Sequence, residues 1–305
     1  MMNIRKYTII FFMAAGILAG SVALYSGINK VTPKLADNGV IFRTITDMTG
    51  RLVKIPDNPS KILSLSVMAD DIIVKLGLVG RLAAIDQYGK IIPGVERAEV
   101  VGKGSALSIE KILELKADIA FIWWYQDDVA AMLDKYSIPV VRLKSCRLNN
   151  YSDTVTLIGR CLNVEKNAAA VIEKFNKQIK ALPQVKTHDR PGVYLELYSP
   201  YKTAGKDSYA NDLIEAAGGN NIAGNVSGVA VLSAEEIILK SPQTILYIDG
   251  FATGDEIASR PGFKTLPAVK QRRVYGINRK RLVAGVEPVE AVNEIRKIIN
   301  QEKGN

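Results

Sequence analysis

Between residues 60 and 145 the chain alternates short apolar runs with stretches of helical spacing. Residues 61–65, 82–85, 119–123 and 139–143 are apolar runs of strand length, and each predicts a strand buried on both faces. Residues 67–76 carry apolar positions at helical intervals and stop at Gly77, which predicts a helix. Further helices are expected after Ser108 and near residues 129–136. Strand and helix alternating through short connections predict a parallel sheet covered on both faces. Ahead of this series, residues 42–47 and 51–55 alternate around Thr49-Gly50, the pattern of a hairpin.

From Ser152 to Leu182 there is no proline and one glycine, Gly159. Val155, Ile158, Leu162, Ala169, Ile172, Phe175 and Ile179 keep helical intervals until Pro183 ends the pattern. A single helix of about 30 residues, roughly 45 Å at 1.5 Å per residue, is predicted as a strut between two lobes. A polar connection holding His188 follows, and then a second alternating series. It comprises strands at 193–197, 244–248 and 273–275, with helices at 209–217, after Ser233, and at 286–300. The expected fold is α/β: two Rossmann-like lobes with central parallel sheets, residues 41–150 and 184–305, bridged by one long helix over 151–183.

Two stretches look like copies of each other. Leu107-Ser108-Ile109-Glu110-Lys111-Ile112-Leu113 and Leu232-Ser233-Ala234-Glu235-Glu236-Ile237-Ile238 each precede an apolar run. Each reads as a serine-capped helix leading into a buried strand, with a glutamate in its first turn. Such a glutamate complements the helix dipole, worth a few tenths of a kcal/mol, and needs no other reason. Its recurrence at one place in both lobes is harder to attribute to chance. Two similar lobes imply a cleft between them.

The composition, 48% hydrophobic and 23% charged over 305 residues, is that of a globular chain. The net charge of +9 is spread without a dense basic tract, which reads as a solvated basic surface and gives no nucleic-acid partner. Arg5 and Lys6 precede an apolar segment with small residues at Ser21-Val22-Ala23. Residues 1–23 therefore read as an export signal cleaved after Ala23, or else as a retained membrane anchor, with a linker over 24–40. This segment has no cysteine, so a lipid-modified N-terminus is not expected. Cys146 and Cys161 are either a disulfide or two separate buried thiols. With one histidine and two cysteines the chain offers neither a zinc site nor a Ser–His–Asp arrangement. Gly102-Lys103-Gly104 lacks the third glycine of a dinucleotide fingerprint, and no phosphate loop is present. A binding protein without cofactor fits better than an enzyme.

Aromatic and basic residues gather at the carboxyl ends of the predicted strands, where ligands of open α/β sheets bind. Trp123-Trp124-Tyr125 ends one strand, Tyr88 follows another, and Tyr198 and Tyr201 follow a third. Asn278-Arg279-Lys280-Arg281 stands after the strand at 273–275, and serves equally well as a solvated loop. Aromatic faces with arginine suit a flat, negatively charged ligand.

These residues resemble the periplasmic substrate-binding proteins of ABC importers for ferric siderophores, haem and cobalamin. The resemblance runs from about Thr44 to Ile298. It is carried by Thr46-Asp47-Met48-Thr49-Gly50-Arg51, Leu107-Ser108-Ile109-Glu110, Gly205-Lys206-Asp207-Ser208-Tyr209, Leu232-Ser233-Ala234-Glu235 and Ala268 to Tyr275. It implies two lobes on a rigid helix, a monomer, and an ABC permease with its ATPase as partners. It implies docking to that permease through Glu110 and Glu235, with Glu236 as a neighbour able to substitute. It implies ligand contacts at Tyr88, Trp123 and Tyr201, to which the strand-end reading adds Trp124, Tyr125, Arg279 and Arg281. Near Gly104 and Ala230 the chain lacks aromatics found in the cobalamin-binding member, and the basic run favours an anionic ferric siderophore over cobalamin, haem or an oxyanion such as molybdate. A membrane-tethered sensor or an enzyme on the same scaffold would be functions of another class.

Overall fold

The computed structural model describes residues 34–35, 41–183 and 186–300, and builds them around two parallel sheets. The first sheet has the order Val140–Leu143, Ile119–Trp123, Ile62–Ser64, Leu82–Ile85, Glu99–Val100. The second has the order Asn220–Asn221, Gly192–Glu196, Thr244–Ile248, Val274–Ile277. All neighbours in both sheets are parallel. Ile62, Leu63, Ile119, Ala120 and Phe121 have no exposed surface, as strands covered on both faces require. The sequence-predicted α/β class with central parallel sheets is what the chain adopts.

The amino-terminal hairpin pairs Ile41–Thr46 with Leu52–Pro56. Asp47 closes its turn: Oδ1 accepts from the Thr49 amide at 2.9 Å, the Thr49 hydroxyl at 2.7 Å and the Arg51 amide at 3.1 Å. Gly50 supplies the positive φ, 87°. Oδ2 of the same Asp47 accepts from the Arg142 amide, which ties the hairpin to the edge of the first sheet.

One expectation fails. There is no single long strut; residues 151–180 form two helices, Tyr151–Cys161 and Glu165–Lys180, folded back on one another. Asn163 takes a left-handed φ of 58°. Behind it the Val164 amide bonds the Gly159 carbonyl at 2.9 Å and the Asn163 amide bonds that of Arg160 at 3.4 Å. This pair of bonds is a Schellman stop, with asparagine in the place glycine usually holds. Gly159 then admits the returning helix, since a Cβ there would lie 2.4 Å from the Ala168 Cβ. Tyr151, at the start of the first helix, meets Phe175 near the end of the second with ring centroids 4.5 Å apart.

This helical hairpin does not separate the lobes. One apolar core runs through Ile62 and Phe121 of the first sheet, Met68, Tyr151, Phe175 and Tyr209, and on to Val193 and Leu246 of the second. Polar contacts cross the same border. The Arg147 guanidinium forks onto the Asp212 carboxylate, with Nε at 2.7 Å, and the Leu148 amide donates to the same group at 2.9 Å. Cys146 and Cys161 are both buried free thiols, and burial pushes each up to about 12. The segment read as an export signal lies outside the described residues. Among the described residues no helix is long and apolar enough to cross a membrane.

Candidate functional site

The cleft follows from the two strand orders. In the first sheet the chain runs outward in both directions from Ile62–Ser64, and in the second from Gly192–Glu196. Loops leaving the carboxyl ends of strands on either side of such a reversal diverge and leave a crevice. A cavity of about 730 Å³ lies there, between the two sheets. Its floor is Leu65 and Val67, directly after the first strand.

Asp86 builds the first wall. Its Oδ1 accepts from the amides of Tyr88 at 2.9 Å and Gly89 at 3.2 Å, which caps the 3-10 turn Gln87–Ile91 and turns Tyr88 into the cavity. Gly89 has no alternative, because a Cβ there would stand 2.4 Å from Oδ2 of Asp70 beneath. Burial raises the Asp86 carboxyl above its usual range, against the two amide bonds that lower it. The opposite wall of the same lobe is Trp123 and Tyr125. The Gln126 side chain fixes their turn by accepting from the Trp123 amide at 2.9 Å. Burial, with Asp86 and Tyr88 nearby, raises the Tyr125 phenol.

The second lobe contributes Tyr198 and the 3-10 turn Arg279–Leu282, which Asn278 caps through the Lys280 amide at 2.9 Å. The Arg279 guanidinium carbon lies 5.9 Å from the centroid of Tyr88 and 5.5 Å from that of Tyr198. It therefore spans the cleft between aromatic faces of both lobes. Lys103 also approaches Tyr88, to 5.8 Å, carried on a hairpin that turns at Gly104 with φ 61°.

The structure separates the candidate residues. Tyr88, Trp123, Tyr125 and Arg279 line the cavity. Trp124 does not; its ring meets those of Trp123 and Tyr125 edge-on. Arg281 is turned away, bound to Glu287 and, at 2.7 Å, to Glu294. Tyr201 is also elsewhere, since its φ of 65° and its amide bond to Glu196 hold it in the body of the second lobe. There its ring packs 4.9 Å from Arg260, which grips the buried Glu196 carboxylate in two bonds of 2.5 and 2.8 Å. Lys103 was missed at the sequence level; its signal was a lysine at the tip of a glycine-flanked turn.

The repeated helices end alike. Ile109–Leu115 and Ala234–Lys240 start at serine caps and stop at left-handed residues, Lys116 and Ser241. Glu236 closes a capping box on Ser233, bonding its amide at 2.7 Å, and is thereby occupied. Glu110 and Glu235 remain exposed at the same helical position. Among the described residues neither forms an ion pair.

A family model described as periplasmic binding protein matches residues 62–280. The uncharacterized ABC transporter substrate-binding lipoprotein YvrC of Bacillus subtilis is 24% identical over 271 residues, 84% of this chain and 85% of that protein. The vitamin B12-binding protein of Vibrio cholerae is 22% identical over 240 residues, 77% of this chain and 87% of its own length. A solved structure from Staphylococcus epidermidis, described as a possible iron-binding periplasmic solute-binding protein, aligns with a TM-score of 0.71 at 23% identity, over 80% of this chain and all of that one. The family is extracytoplasmic and consists of binding proteins for transporters, whose partners are a small-molecule ligand and an ABC permease with its ATPase. By the match over most of its length, the chain belongs to the periplasmic binding protein family, as the substrate-binding component of an ABC importer.

Proposed function

We propose that the cleft captures an anionic metal chelate of the ferric siderophore class and delivers it to the permease. The observation that carries this reading is Arg279. It stands in the cavity between two tyrosine rings, and among the described residues no carboxylate neutralises it. Lys280 beside it is paired with Glu287 at 2.7 Å, so Arg279 and Lys103 are the cations left for a ligand. Tyr88, Trp123, Tyr125 and Tyr198 add flat apolar area. A cavity of about 730 Å³ is of the size that holds a drug-sized molecule and far exceeds a bare oxyanion.

Glu110 and Glu235 serve as the paired feet on the permease, which their exposure and common helical position support. The protein is exported by its first 23 residues. Titration with ferric tris-catecholate and tris-hydroxamate complexes, cyanocobalamin, haemin and molybdate, followed by tryptophan fluorescence, tests the ligand class. Saturable quenching by an anionic ferric complex is expected. Tight binding of cyanocobalamin or molybdate alone would replace the siderophore reading.

A further inference from the structure

A second cavity, of about 440 Å³, lies where the helical hairpin faces the carboxy-terminal helix Pro288–Ile299 and the helix Val67–Lys75. None of its lining residues lines the ligand cleft. The helix Glu165–Lys180 presents one face to it: Lys166, Ala170 and Lys174 at intervals of four, with Val171 and Phe175 beside them. Pro288 and Val289 complete an apolar floor. The two lysines are eight residues apart, about 12 Å at 1.5 Å per residue, so they stand at opposite ends of that floor.

Its charge is unbalanced. Three lysines line the cavity against one acid, Glu290. Lys75 is satisfied by Asp71 at 2.6 Å and by the Tyr151 hydroxyl at 3.5 Å. Among the described residues no carboxylate pairs with Lys166 or Lys174. Apolar floor and free ammonium groups together match a molecule with an apolar body and one anionic end. The volume falls in the range of about 300–1,000 Å³ typical of small-molecule pockets. We propose that this cavity is a second ligand site, for a small amphipathic carboxylate, with a lining separate from that of the cleft.

The chain connects the two sites directly. Residues 278–280 and 282–284 line the cleft and residues 288–290 line the second cavity. Glu287, between them, holds Lys280 at 2.7 Å and Arg281.

Decanoate, with uncharged decanol as control, probes the site by calorimetry on the full protein with the cleft empty. Saturable one-to-one binding of decanoate is expected, at least tenfold tighter than decanol. The exposed pair Lys166→Glu and Lys174→Glu should weaken it at least tenfold, and Ala170→Trp, which fills the cavity, should abolish it. Arg279→Ala should leave it unchanged. The proposal is overturned by absence of saturation below millimolar concentration, by equal binding of decanol, or by charge-reversed protein that binds as well as the parent. Loss of binding in Arg279→Ala would also overturn it, because that places the probe in the cleft.

Discussion

Arg279 faces Tyr88 across the lobe boundary, with its guanidinium carbon 5.9 Å from the ring centroid. Charged and aromatic surface from both lobes therefore meets at one point of the cleft. Replacing Arg279 by alanine should weaken an anionic chelate by about ten- to a hundredfold, about 1.4 to 2.8 kcal/mol, with a smaller effect at high salt. Calorimetry at two ionic strengths checks both parts. Arg281→Ala should leave affinity unchanged, since its partners are Glu287 and Glu294. Its cost should be about 1 kcal/mol or less of stability.

Docking and binding should separate genetically. Glu110→Ala combined with Glu235→Ala should retain ligand affinity and lose uptake in a reconstituted transporter. Glu236→Ala should do the reverse of that pattern in stability. It removes the capping-box bond to Ser233 and costs about 1 kcal/mol, while uptake continues. Unchanged uptake by the double variant would remove the docking role.

The Arg147–Asp212 pair should be a stability element of the lobe boundary. Asp212→Ala leaves the Arg147 fork and the Leu148 amide without their acceptor. A loss of about 2 to 3 kcal/mol in urea unfolding is expected.

Asp70 should give the fold an inverse pH dependence. Burial, with Asp86 and Asp71 as further contributors, holds its carboxyl well above the usual carboxylate range. The folded chain then binds a proton that the unfolded chain releases. The resulting penalty is absent below about pH 4 and grows as pH rises toward the folded value. Asp70→Asn should therefore stabilise the protein at pH 7 and match the parent at pH 3.5. Thermal unfolding across that range measures the difference.

The helical turn-back depends on Asn163. Asn163→Gly should be tolerated, whereas Asn163→Val should cost at least about 1 kcal/mol, because a β-branched side chain opposes a φ of 58°. Circular dichroism melts of the two variants decide it.

Local signals made much of this fold readable. Apolar runs placed the parallel strands, and serine caps placed the paired helices, because both depend on neighbours within a few residues. The hairpin at Asn163 was hidden because asparagine tolerates both a helix interior and a left-handed stop; only the return of Phe175 to Tyr151 chooses. In the cleft, Tyr88, Trp123, Tyr125 and Arg279 were legible from their places after strands. Tyr201 and Arg281 occupy equally suggestive places, but partners outside the cleft claim them. Tyr201 answers to Glu196, five residues back, and to Arg260, which joins that carboxylate from 64 residues along the chain, and Arg281 answers to Glu294 in the following helix.

The apolar core shared by both sheets bears on traffic at the membrane. Parting the lobes would expose buried surface around Tyr151, Met68 and Tyr209. The spacing of Glu110 and Glu235 should then change little on loading. If those glutamates are the docking feet, an unloaded copy occupies the permease as readily as a loaded one. Import should then slow when the binding protein outnumbers its cargo, and discrimination must fall to the permease or to the rim of the cleft.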